Sequence, residues 1–268
     1  MSTPASTPAS TPALDLTRRV PPLGSFNPTL LRIELMRMLR NRRTVVFTLV
    51  LPVVLLLSVG NQRDWRQPIG SGNVAAYLMV SMGLYGAALT AAATGSMVAL
   101  ERATGWSRQL RLTPLNPVAY ILTKALVALT MGALALVAVN IVGKLQGHAQ
   151  MPGGIWISCL VVTLFCTLTF AALGVFAGYI VPGENVMQIL GPGLAILSFL
   201  GGLFIPLSQY NQIVRDIAYW TPMYGVAQVA RAPLTHDLPW YAVVNAVAWF
   251  ALFVAGAAWR MSKDTARV

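Results

Sequence analysis

The chain of 268 residues carries few side chains able to do chemistry. Its carboxylates are Asp15, Glu34, Asp64, Glu101, Glu184, Asp216, Asp237 and Asp264, and its only histidines are His148 and His236. The two imidazoles are far apart in the sequence, so no metal cluster is suggested. The phosphate-binding pattern G-x-x-x-x-G-K-[ST] does not occur: Gly143-Lys144 is followed by Leu145 and has no upstream glycine at the required spacing. A G-x-S-x-G nucleophile elbow is also missing, so the chain is not expected to be an enzyme. None of the carboxylates falls in the middle of a long apolar run. Ion- and proton-coupled carriers keep ionisable groups inside the membrane to bind the coupling ion, at roughly 2.5–3.5 kcal/mol for a central charge on insertion scales. Their absence argues that driving energy enters from a partner at the membrane surface.

The apolar sequence must position what polar groups there are. Hydrophobic residues make up 56% of the chain and charged ones 10%, against about 25% charged in a soluble domain. Six runs contain no Asp, Glu, Lys or Arg: Thr44–Gln62, Gln67–Leu100, Ala125–Gly143, Leu145–Gly183, Asn185–Val214 and Leu238–Trp259. About 20 apolar residues cross a bilayer core, so the runs predict an all-α polytopic membrane protein with six transmembrane helices. Fourteen of the nineteen basic residues fall on the side of the N-terminus in that arrangement. The positive-inside rule then puts both termini in the cytoplasm of a cell-membrane protein. The net charge of +11 is expected to meet anionic membrane lipids, and no nucleic acid.

Four regions follow. Residues 1–26, with Ser-Thr-Pro-Ala three times in Ser2–Ala13, are expected to be a disordered cytoplasmic tail. Residues 27–43 read as an amphipathic surface helix, with Asn27 as cap and Pro28 at the first position. Leu30, Leu31, Leu35, Met38 and Leu39 fall on one side, Arg32, Arg37, Arg40 and Arg43 on the other, a pattern suited to lying on the membrane. Residues 44–260 form the six-span domain and 261–268 a second cytoplasmic tail. Between the fifth and sixth spans, two short helices that dip back to the outer surface are expected, broken at Thr221-Pro222. Gly174 and Gly178 permit close helix contact in the fourth span, and Cys159 and Cys166 read as packing residues.

After the second run comes Glu101-Arg102-Ala103-Thr104-Gly105-Trp106-Ser107-Arg108-Gln109-Leu110-Arg111-Leu112-Thr113-Pro114-Leu115. This segment resembles the cytoplasmic segment of type-2 ABC exporter permeases, which include daunorubicin-type drug exporters, polysaccharide and teichoic-acid exporters, and sodium or antibiotic-resistance exporters. Glu101, Arg102, Gly105, Leu110, Thr113, Pro114 and Leu115 match, whereas Ala103 departs from the usual acidic residue. Lys124 matches a frequent family lysine. Glu34-Leu35 through Arg43 with Leu51-Pro52, Gly201–Leu207 and Thr221-Pro222 agree in order, so the resemblance covers Asn27 to Trp259.

What the resemblance implies is a coupling helix at Arg102–Leu112 against an ABC ATPase subunit, two copies of which bind ATP and Mg; this chain itself needs no cofactor. Glu101 would pair with a basic residue of that partner or with Arg40–Arg43. A second permease copy, as a homodimer, would complete a path lined by the second and fifth spans. Ser81 and Tyr85 on one face of the second span, Thr90 and Thr94 on the other, are candidates for the path, and Phe199, Leu203 and Phe204 for an apolar outer gate. Such a path suits efflux of a drug, antibiotic or lipid-like cargo, with polysaccharide and sodium export the alternatives within the family. A secondary carrier or channel needing no ATPase is the rival from another class, and a membrane scaffold a third. The topology is checked by cysteine labelling with an impermeant reagent: positions near Arg63 and Gly147 should react from outside and Ser107 should not, and external labelling at Ser107 overturns it.

Overall fold

The computed structural model describes residues 28–59, 65–105, 117–181 and 183–265. The N-terminal tail, Leu110, Thr113 and Pro114 lie outside the described residues. The elements in chain order are α1 (Pro28–Arg40), α2 (Arg42–Val59), a small hairpin of β1 (Pro68–Ile69) and β2 (Gly72–Asn73), α3 (Val74–Ala103) and α4 (Pro117–Leu145). They are followed by α5 (Gly153–Ile180), α6 (Val186–Leu200), α7 (Gln212–Tyr219), α8 (Pro222–Thr235) and α9 (Trp240–Thr265). Four of the described helices are long and apolar enough to cross a membrane: α3, and the stretches Ala119–Leu145, Gly153–Ile180 and Trp240–Lys263. The first and fifth charge-free runs form shorter helices, α2 of 18 residues and α6 of 15, with Pro52 and Pro192 inside them.

Everything is arranged around α3. Of its most apolar window 89% is buried, against 17% for that of α9. The cause is its composition: Gly83, Gly86, Gly95 and a series of alanines surround the helix, and small residues let neighbouring backbones close in from every side. At Gly95 and Gly174, α3 and α5 touch through their backbones. A Cβ on Gly174 would lie 2.2 Å from the Ala92 carbonyl oxygen, and one on Gly95 would lie 2.5 Å from that of Ala171. The opposite side of α3 receives α4 and α2, with Gly83 against Leu136 and Gly86 against Pro52. Most of the second span is therefore packed within the chain.

The start of α3 is set by Asn73. Its side-chain oxygen caps the helix by accepting from the Ala76 N–H at 2.9 Å, and also accepts from the Gln150 N–H; its amide donates to the His148 carbonyl at 2.7 Å. One residue thus caps α3 and ties the α4–α5 connection to it. At the far end, Gly105 at φ +73° closes the helix, its N–H donating to the Arg102 carbonyl. A left-handed residue just past the last turn is a common way to stop a helix, and glycine adopts it without a Cβ penalty. After α7, Thr221 caps α8 by accepting from the Tyr224 N–H and Pro222 takes the first helical position.

The apolar stripe of α1 packs on the helices beside it. Leu31, Leu35 and Met38 pack against Val127 and Met131 of α4 and Met97 of α3. Helical spacing puts Glu34 on that same stripe, where it is buried, so the inward face of α1 is committed to protein. Arg42 and Arg43 belong to α2.

The backbone contact of α5 on α3 gives a stability prediction. Gly174→Ala should destabilise by about 1–3 kcal/mol, the usual range for overpacking. Gly191→Ala, where a Cβ meets nothing within 4 Å, should be neutral or better. Thermal unfolding of the purified protein measures both, and equal midpoints would contradict the close approach.

Candidate functional site

The densest polar cluster joins α1, α3 and α4 where α3 ends. Glu101, in the last turn of α3, is 1% exposed and accepts three hydrogen bonds. Tyr120 Oη donates at 2.5 Å, Arg37 Nη1 at 3.2 Å, and Lys124 Nζ makes the third, very short contact. Lys124 is 2% exposed and also lies 3.0 Å from Glu34 Oε2, out of hydrogen-bond alignment. Arg37 reaches within 3.8 Å of Glu34 Oε1 as well, but keeps 38% of its side chain exposed. Among the described residues, two carboxylates thus face two cations, and their charges balance. Lys124 is the cluster's dry centre and Arg37 its wet edge.

Burying ions this thoroughly is costly unless the pairing is complete, and removing one partner of a buried pair typically costs about 3–5 kcal/mol. The exposed Arg37 arm is worth much less, since water screens it. The chief effect of the cluster is mechanical: α1 cannot shift relative to the ends of α3 and α4 without breaking contacts to Lys124 or Glu101.

Among the described residues, the cations paired with Glu101 are Arg37 and Lys124 of its own chain, because it faces inward at the end of α3. Replacing it by arginine would therefore disturb folding as well as any docking surface. Arg102 points the other way. Its Nη1 donates to the carbonyls of Gly178 and Tyr179 at 3.3 and 3.1 Å, and its guanidinium lies 5.2 Å from the centre of the Tyr179 ring. A cation at those last carbonyls of α5 is where the helix dipole favours one. The adjacent residues Glu101 and Arg102 therefore clamp α3 to α1 and α4 on one side and to α5 on the other. A Cβ on Gly105 would meet nothing within 4 Å among the described residues. Arg32 and Arg40 remain exposed on α1, beside Ile33 and Met36.

A second buried cation lies toward the other end of α3. Arg231 of α8 is 1% exposed and, among the described residues, makes no ion pair with a carboxylate. Its Nε donates to the Ala227 carbonyl, and Nη1 to the Gly202 carbonyl at 2.9 Å, to Tyr77 Oη at 2.5 Å and, longer, to Ser81 Oγ. Loss of water lowers its pKa from the usual value. Beside it a cavity of about 1020 Å³ opens between α2, α3 and α6. Of the path candidates, Tyr85, Phe199 and Phe204 line this cavity. Leu203 is buried in the core against α3 and α8. Ser81, Thr90 and Thr94 are buried and donate to the carbonyls of Tyr77, Gly86 and Thr90 on their own helix. Inspection of the sequence did not single out Arg231 or Tyr77. It offered a signal for Glu34, whose position between Leu31 and Leu35 on an apolar stripe demands a cation opposite.

Comparison with known proteins agrees with this architecture. Residues 28–234 match the family model described as ABC-2 type transporter. The chain is 24% identical over 231 residues to YvfS of Bacillus subtilis (strain 168), named as a transport permease, covering 82% of this chain and 91% of that protein.

The cluster is tested by charge removal. Lys124→Met leaves two buried carboxylates without their central cation and should destabilise by about 3–5 kcal/mol. Adding Glu101→Gln to Lys124→Met should recover part of that loss, because one of the stranded charges is gone. Chemical or thermal unfolding in detergent reads the difference, and a double variant no more stable than Lys124→Met alone would contradict the pairing.

Proposed function

The chain belongs to the ABC-2 type transporter family and is a multi-pass membrane permease, and from that premise we propose that it is the transmembrane subunit of an ATP-driven exporter of amphipathic cargo. A separate ABC ATPase, the partner that the family implies, binds ATP and Mg in two copies. The permease works as a homodimer with both termini cytoplasmic. In this reading α2 and α6 complete the set of six spans, α7 and α8 dip back at the outer surface, and α1 lies at the cytoplasmic one. The segment from Arg102 through Pro114 meets the ATPase.

The observation that carries this reading is the buried Glu34–Arg37–Glu101–Lys124 cluster. A push on the segment that follows Gly105 acts on the end of α3, and the cluster passes it to α1 and α4 while Arg102 passes it to α5. Closure of the ATPase dimer would move these helices together and narrow the cavity at the opposite end. Among the described residues the cavity walls carry no charged side chain, which favours a drug, antibiotic or lipid-like cargo over a free ion.

Co-purification with candidate ABC ATPases, followed by measurement of cargo-stimulated ATP hydrolysis, tests the assignment. Efflux should persist when the proton gradient is collapsed at constant ATP. Efflux that stops with the gradient would identify a secondary carrier instead.

A further inference from the structure

Arg231 and Tyr77 form a unit that packing alone does not account for. The guanidinium carbon of Arg231 stands 4.5 Å from the centre of the Tyr77 ring, and Nη1 donates to the phenol oxygen. Because that oxygen accepts from arginine, its own proton is free to be donated, and among the described residues no hydrogen bond uses it. Tyr77 also lines the large cavity, together with Leu51, Leu55, Leu78, Tyr85 and Phe199. A buried cation with no carboxylate partner among the described residues therefore sits directly behind a wall residue that has a hydroxyl proton to give. Around the same opening, Gln67, Ser208 and Gln209 add neutral polar groups, while among the described residues no acidic side chain lines it.

We propose that this cavity binds amphipathic molecules with an anionic head, a carboxylate or a phosphate, which accepts the Tyr77 hydroxyl proton in a hydrogen bond and is favoured by the charge of Arg231. The apolar wall of leucines and aromatic rings takes the tail. The volume is that of a site for a drug-sized or lipid-sized molecule. Tyr77 is the residue that touches the ligand. Arg231 acts through it as a positioning residue, by orienting the phenol and by supplying positive potential where few water dipoles screen it. A group of opposite charge is attracted and a cationic head is repelled, so the pair sets selectivity among heads as well as affinity. This inference deepens the exporter reading by naming the cargo class, but binding is measurable without any ATPase.

The test uses the purified full-length permease in nanodiscs of neutral phosphatidylcholine. Three photoreactive probes share one sixteen-carbon diazirine chain and differ in head: a carboxylate, its methyl ester and the primary amine. The carboxylate should label peptides containing Leu51, Tyr85 or Phe199 at least about tenfold more efficiently than the other two. Tyr77→Phe keeps the ring and its packing, and should reduce carboxylate labelling to the level of the ester. Arg231→Gln should do the same; if that protein does not fold, Tyr77→Phe decides alone. A purely structural clamp between α8 and α3 would change labelling by all three probes together and leave their ratio unaltered. Equal labelling by the three heads in the parent protein, or an unchanged ratio in Tyr77→Phe, overturns the proposal. Repeating the labelling in phosphatidylglycerol discs separates two sources of the anion: competition identifies a lipid headgroup as the occupant, and its absence a free anionic cargo, either of which supports the site. Failure to recover an ATPase complex would count against the exporter reading and leave this binding result standing.

Discussion

Lys124 has to neutralise two carboxylates in a space almost closed to water, and that requirement determines much of the surrounding structure. Glu34 arrives on α1 and Glu101 on the last turn of α3, while Tyr120 sits one turn before the lysine on α4. A charge left alone there would cost more than any single apolar contact nearby returns. The three helices must therefore meet at this height and in this rotation. The packing of Leu31, Leu35 and Met38 against Val127 and Met131 is the apolar surround of the same junction. Arg37, at the wet edge, completes the charge balance without adding much stability.

The helix carrying Glu101 is also the axis of the molecule. Because α3 is clothed in glycine and alanine, α5 approaches it backbone to backbone, and α2 and α4 close in on the other side. Interfaces of this kind have little slack: interdigitated surfaces shift as units rather than deform. Tyr77 and Glu101 are 24 residues apart on that one helix, about 36 Å at the rise of an α-helix, close to the roughly 30 Å of a bilayer core. The Glu34–Glu101–Lys124 centre and the Arg231 centre thus lie at opposite ends of a single rigid element.

The two centres differ in kind. At the first, acids and bases balance among the described residues, and Arg37 is the exposed edge. At the second, a guanidinium without a carboxylate partner among the described residues is held by the oxygens of Gly202, Ala227, Tyr77 and Ser81. Carbonyl and hydroxyl dipoles solvate a cation without cancelling its charge, so a positive potential remains next to the cavity wall. A balanced lock at one end and an unbalanced field at the other are what the proposed exporter, driven from one side and handling cargo on the other, calls for.

Charge-free stretches identify a membrane protein from the sequence alone, because no soluble surface can be built from so few polar residues, and four of the six runs are helices of spanning length in the structure. The order of local motifs around Glu101–Leu115 and Lys124 was enough to indicate the transporter family, since family motifs are a local property of the chain. Local signals also marked the close contact at Gly174 and Gly178 and the start of α8 at Pro222. Pairing was another matter. That Glu101 would take Arg37 and Lys124, that the stripe of α1 would meet α4, and that Arg231 would be drawn in from α8 to Tyr77 are contacts between residues 23 to 154 positions apart. Charge and hydrophobicity name what such residues need, but not which of several suitable partners is within reach. Only the packing of helices on α3 decided that, because it alone sets which side chains share a space from which water is excluded.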